Sequence, residues 1–80
     1  MKYVYLVQGR SFINNKPEFC GVAYYTSYEK ALRDFNDRLD NYKTYELIYE
    51  LDEEDTCTHI KEFKVEGITT EIQLLKHEVY

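Results

Sequence analysis

The sequence predicts an α+β domain of order ββαββ with a fifth strand after it, a mostly antiparallel sheet with one amphipathic helix packed on one face. Three observations carry this. Two β-branched and aromatic runs, 2–8 and 19–26, come before a single stretch of helical period, and alternating runs come after it. Every connection is short, which suits antiparallel neighbours. A chain of 80 residues buries only about 60–65% of its unfolded surface, so one compact core and a single domain over 1–80 are expected.

The first run, Lys2 to Gln8, is apolar on both alternating faces: Tyr3, Tyr5 and Val7 form one set, Val4 and Leu6 the other. A strand apolar on both sides is central or twice buried. The second run spans Phe19 to Thr26. Asn14-Asn15 between them forms the turn, because asparagine tolerates positive φ. An uninterrupted ladder then sets Ile13 opposite Lys16 and Tyr5 opposite Tyr24, and a bulge at Gly9 or Gly21 breaks that register.

The helix is expected from about Ser27 to Asn41. Thr26-Ser27-Tyr28-Glu29 has capping-box spacing, with Thr26 as cap and Glu29 reaching back. Tyr28, Leu32, Phe35, Leu39 and Tyr42 recur at helical steps, and Ala31 lies beside them. Glu29–Arg33, Lys30–Asp34 and Asp34–Arg38 are i,i+4 pairs on the outer face.

In residues 44–52, Tyr45, Leu47, Tyr49 and Leu51 alternate with acids and one apolar intruder, Ile48, as a half-buried antiparallel strand does. Residues 52–55 make a turn. A fourth strand over 58–66 holds Ile60, Phe63 and Val65, whose parity slip implies a bulge or late start. Residues 68–79 fit both a strand and a helical stripe; the paired threonines and the short link through Gly67 favour the strand. One helix cannot cover both sides of such a sheet. The far side is left to the tail, to a second copy in a homodimer, or to a partner.

The formal net charge is −5, and it is unevenly spread. Residues 1–33 carry +3, residues 34–55 carry −7, and residues 56–80 carry −1. An acidic middle repels phosphate and so disfavours direct binding of nucleic acid or an anionic membrane, while attracting a basic protein surface. No apolar run approaches the roughly 18 residues of a membrane span, and Met1-Lys2-Tyr3-Val4 reads as an unprocessed start. Cys20 and Cys57 are expected as reduced thiols in the cytoplasm.

Binding residues come from three places. Glu46, Glu50, Asp52, Glu53, Glu54 and Asp55 form an acidic ridge without an intervening base. It suits docking on a basic groove, and equally suits the charged outer side of an edge strand. Nine tyrosines furnish core and interface rings. Tyr28, Tyr42, Tyr45 and Tyr49 follow the core periodicity, while Tyr5 and Tyr24 are the candidate anchors. Phe12 and Ile13 sit beside the hairpin tip near Arg10. Cys57, His59, Cys20 and His77 have the census of a zinc site but not its spacing, so no metal and no cofactor are expected. No phosphate loop or nucleophile motif is present, so a non-enzymatic chain is expected.

The Tyr-Val-Tyr-Leu-Val strand, the strand ending Tyr-Tyr-Thr-Ser and the Tyr-Glu-Lys-Ala-Leu helix start together resemble small phage or mobile-element proteins. So do the seven lysines against three arginines and the two alanines. The likeness covers about the first 42 residues. It implies a host-takeover or anti-defence factor of the anti-CRISPR type, acting in the host cytoplasm by occupying a surface of a defence or nucleic-acid-handling protein. Two other classes stand beside it. One is a homo-oligomer binding a small ligand such as a nucleotide signal, lined by Arg10, Lys16 and Arg33. The other is an accessory or structural subunit of a larger particle.

Overall fold

The computed structural model describes residues Lys2–Val79, leaving aside the side chains of 19 and 20, so the expectation for Cys20 lies outside the described residues. Five strands and one helix run in the order β1 (Lys2–Ile13), β2 (Lys16–Tyr25), α1 (Tyr28–Leu39), β3 (Glu46–Glu53), β4 (Thr58–Val65) and β5 (Ile68–Val79). The sheet order is β2-β1-β5-β4-β3 and every pairing is antiparallel. This is the α+β class expected. The ambiguous last segment is a strand at the centre of the sheet, so it does not fold over the far side. No described helix is long and apolar enough to cross a membrane.

Asn14 and Asn15 both adopt positive φ, 52° and 67°, the geometry of the primed two-residue hairpin turn. Ile13 faces Lys16 as expected, but Tyr5 faces Tyr25 and not Tyr24. Two residues of β2, Cys20 and Gly21, oppose Gly9 alone, and Gly21 carries a φ of 107° that a side chain resists. Arg38 Nη1 donates to the Gly21 carbonyl at 3.0 Å, which ties this bulge to the helix.

The helix starts one residue later than Thr26 as cap would place it. Ser27 is the N-cap, with extended backbone, and its hydroxyl accepts from the Lys30 amide at 3.4 Å. With lysine at N3 there is no reciprocal glutamate bond; Glu29 instead lies in the first turn, where the helix dipole favours it. The helix ends at Leu39 rather than Asn41, and a 3-10 turn over Asp40–Tyr42 follows.

A second bulge lies in β3. Leu47 faces Phe63 and Tyr49 faces Glu62, so Ile48 is the extra residue. The apolar intruder therefore reverses the parity of the strand, and Tyr49 leaves the core periodicity assigned to it; it is 47% exposed. The parity slip read in the fourth strand has a different origin. β4 pairs with β5 without interruption from His59 to Val65, and Ile60 and Phe63 simply face opposite sides.

The core is Val7, Ala31, Phe35, Phe63, Ile72 and Leu74, with Tyr5, Tyr25, Tyr28, Leu32, Leu39, Tyr42 and Tyr45 packed around it. Tyr42 stacks on Phe63 at 5.6 Å and meets Tyr45 edge-on at 5.1 Å, which closes the core below the helix. Every buried residue of the described strands lies on the helix side: Val7, Gly9 and Ser11 of β1, His59 and Phe63 of β4, and Thr70, Ile72 and Leu74 of β5. The alternating residues face the other way. On that second side no described residue is buried.

Candidate binding surfaces

The ridge expected at 46–55 follows one edge of the sheet and the turn beyond it. β3 has a single neighbour, β4, and all its residues but Leu51 are exposed. Glu46, Glu50, Asp52 and Glu53 lie along it, and Glu54 and Asp55 enter the turn, closed by a 3.1 Å bond from the Cys57 amide to the Glu54 carbonyl. Lys61 reaches Glu50 at 3.7 Å from the facing strand. Between the acids, the bulged triplet Leu47, Ile48 and Tyr49 is exposed at 46%, 47% and 47%. Alternation assigns Leu47 and Tyr49 to the core face; Leu47 keeps that side opposite Phe63 and is exposed at the sheet edge, while the bulge at Ile48 turns Tyr49 to the open side opposite Glu62.

Asp52 belongs to the ridge by position, but it has a second task. Its carboxylate accepts from His59 Nδ1 at 2.8 Å, and His59 Nε2 lies 2.7 Å from the Tyr28 hydroxyl. An ionised carboxylate only accepts, so Nδ1 carries the proton of the neutral ring and Nε2 accepts from Tyr28. His59 is 5% exposed, and Phe35 packs against its ring at 5.8 Å. The chain of three links β3, β4 and the first turn of α1. The hydrogen bond from His59 holds the Asp52 carboxyl below the ordinary range, and burial holds the Tyr28 phenol above its ordinary range. The network is a structural tie, and its sequence signal was the facing of Asp52 and His59 across the 54–57 turn.

The four anchor candidates disperse. Tyr5 lies on the helix side, its ring 5.7 Å from that of Tyr28, so it serves the core. Ile13 shares that side near the first turn. Phe12 and Tyr24 face the open side: Phe12 lies under the Arg10 guanidinium at 6.0 Å, and Tyr24 is 69% exposed.

That open side was legible only as a problem of coverage, and the structure gives it content. Val22 and Tyr24 of β2, Leu6 of β1 and Leu75 of β5 form an apolar end. Gln8 Nε2 donates to Gln73 Oε1 at 2.6 Å, and Gln73 in turn donates to Glu71. Arg10 faces Glu71 with a 4.0 Å ion pair. Glu62 faces Glu71 from β4, and the hydrogen bond between the two carboxyls raises the Glu62 carboxyl above its usual range.

Arg10, Lys16 and Arg33, named for a ligand pocket, do not converge. Arg10 is on the open face, Lys16 begins β2, and Arg33 lines a shallow groove of about 310 Å³ with Tyr25, Lys30, Asp34 and Asp37. In that groove Asp34 is already held by the Tyr25 hydroxyl at 2.6 Å and Arg38 Nε at 3.0 Å. Cys57 forms no disulfide. Among the described residues no group of three or more His, Cys, Asp or Glu side chains is arranged to hold a metal ion. No protein-family model, curated protein or solved structure matches this chain.

Proposed function

We propose that this chain is a non-enzymatic binding protein that occupies a basic surface of another protein through its β3 edge and the 54–57 turn. The observation that carries the reading is the exposed triplet Leu47-Ile48-Tyr49 flanked by Glu46, Glu50 and Glu53 on a strand with a free edge. Apolar side chains supply anchors, and the surrounding carboxylates steer a basic partner and reject acidic ones. With the resemblance to phage proteins, the surface so occupied belongs to a host defence or nucleic-acid-handling protein, whose basic groove is built for phosphate.

The test is a tagged pull-down from host lysate, washed at low and high salt, followed by affinity measurement on the protein retained. Glu50→Gln, Glu53→Gln and Glu54→Gln together are expected to weaken the complex and flatten its salt dependence. Asp52 is kept, because it holds His59. Unchanged affinity after that triple neutralisation overturns the charge-docking reading.

A further inference from the structure

We propose that a second copy of this chain covers the open sheet face, with a two-fold axis running in the interface along the seam between β1 and β5. The two strands pair through twelve consecutive positions, from Lys2–Val79 to Ile13–Ile68. On the open face their partners are chemical counterparts: Leu6 faces Leu75, Gln8 faces Gln73, and Arg10 faces Glu71. An axis along this seam exchanges β1 of one copy with β5 of the other. Leucine then meets leucine, amide meets amide, and Arg10 meets the carboxylate of Glu71 in the second copy.

Other in-plane axes lose this match. An axis across the strands at the level of Gln8 lays the Arg10–Glu71 row over the Leu6–Leu75 row, which buries charge against hydrocarbon. One across the strands at Arg10 sets Arg10 on Arg10 and Glu71 on Glu71. The seam axis instead sets Arg10 and Glu71 of the two copies in a ring of alternating sign, with the Glu62 carboxyl, bonded to Glu71, on its outer side on β4. Aligned sheets cross at about 30°, so rows stay matched near the axis. The matched rows are those of β1 and β5.

Size and charge point to the same occupant. The Cα extents of 43 × 21 Å bound the face at about 900 Å², enough for the roughly 800 Å² that each partner gives to a standard interface when most of the face is covered. The acidic excess lies elsewhere, on β3 at the edge of the sheet, so two copies meeting at the seam bring together balanced strips while their ridges stay apart. A protein carrying −5 resists self-association through most of its surface; this strip is where that resistance is lowest.

The experiment is a charge exchange followed by sedimentation equilibrium. Wild-type protein at about 100 µM, above the micromolar Kd of the weaker interfaces of this size, is expected to be dimeric. Arg10→Glu alone and Glu71→Lys alone each place like charges across the seam twice, and each weakens the dimer by about a hundredfold or more. Mixing the two variants restores a heterodimer, because both cross-seam pairs are then opposite in sign. Far-UV circular dichroism of each variant shows that the fold is retained. Should a reversal disturb the fold, the milder Arg10→Gln and Leu75→Asn give the same test of dimer loss. A monomer at that concentration, variants that stay dimeric, or a mixture that fails to associate each overturns the proposal.

Discussion

Leu74 and Leu75 are adjacent in β5, identical in chemistry, and divided by the pleat. Leu74 is fully buried beneath the helix, between Val7 of β1 and His59 of β4. Leu75 is half-buried on the open face, opposite Leu6. Truncating Leu74 to alanine removes the transfer energy of its side chain and leaves a closed cavity, a combined cost of about 2–5 kcal/mol. Truncating Leu75 forfeits part of the transfer term and leaves no enclosed void, a cost of about 1 kcal/mol. An 80-residue domain has a total stability of about 4–12 kcal/mol, so the first loss removes a large fraction and the second a minor one. At roughly 4–8 °C per kcal/mol, a loss of about 3 kcal/mol lowers Tm by about 12–24 °C in Leu74→Ala, against about 4–8 °C in Leu75→Ala. Urea unfolding of dilute protein, followed by circular dichroism, reads both, with lower midpoints and unchanged m-values. If Leu74→Ala fails to fold, Leu74→Val gives a graded version. Equal losses at the two positions would refute the one-sided core.

Three further outcomes follow from local features. Ser27→Ala is expected to cost about 1 kcal/mol, whereas Thr26→Ala leaves stability within about 0.5 kcal/mol; chemical denaturation of the pair identifies the cap. The Asp52 carboxyl is held below its ordinary value by its bond from His59. Its contribution is therefore present above the ordinary carboxylate range and lost as pH falls through the depressed folded value. Asp52→Asn should be less stable than wild type at neutral pH, and thermal melts should show the difference shrinking below about pH 4. The Glu62 carboxyl is raised by Glu71, so the sign is opposite: its contribution is favourable below the usual range and lost as pH rises. Facing like charges cost about 0.2–1 kcal/mol. Glu62→Gln should therefore stabilise dilute protein at pH 7 by that order, an advantage that melts at about pH 3.5 should show gone.

What the sequence disclosed was local. The helix stripe Tyr28–Leu32–Phe35–Leu39 and the Asn14-Asn15 turn are set by residues a few positions apart, and both stand where the pattern puts them. The cap moved by one residue because Thr26 and Ser27 offer the same hydroxyl. The choice between them is made by the extended backbone at Ser27, φ −117° and ψ 128°. The acidic ridge was visible because Asp52 to Asp55 are consecutive acids and no base interrupts the stretch from Glu46. The emergence of Ile48 and the turning of Tyr49 to the open side were not, since alternation in the sequence carries no mark of a bulge at a β-branched residue. Gly21 did carry such a mark, through its freedom at positive φ. The polar strip of the open face depends on which strands become neighbours. Gln8 and Gln73 are 65 positions apart, and no short-range pattern announces their bond.

The seam between β1 and β5 also governs when the protein can finish folding. The β1–β2 hairpin is complete in sequence at Tyr25, yet the other edge of β1 waits for a strand that ends at Val79. At about 5–20 residues per second, the intervening stretch of chain takes about 3–11 s to synthesise. During that interval a twelve-residue edge rich in tyrosine, valine and leucine has its amides and carbonyls bare. Pairing so distant in sequence is also slow to close once both strands exist. A nascent chain of this protein is thus a hairpin awaiting its central strand, with the ribosome's pace deciding how long that edge is open to other chains.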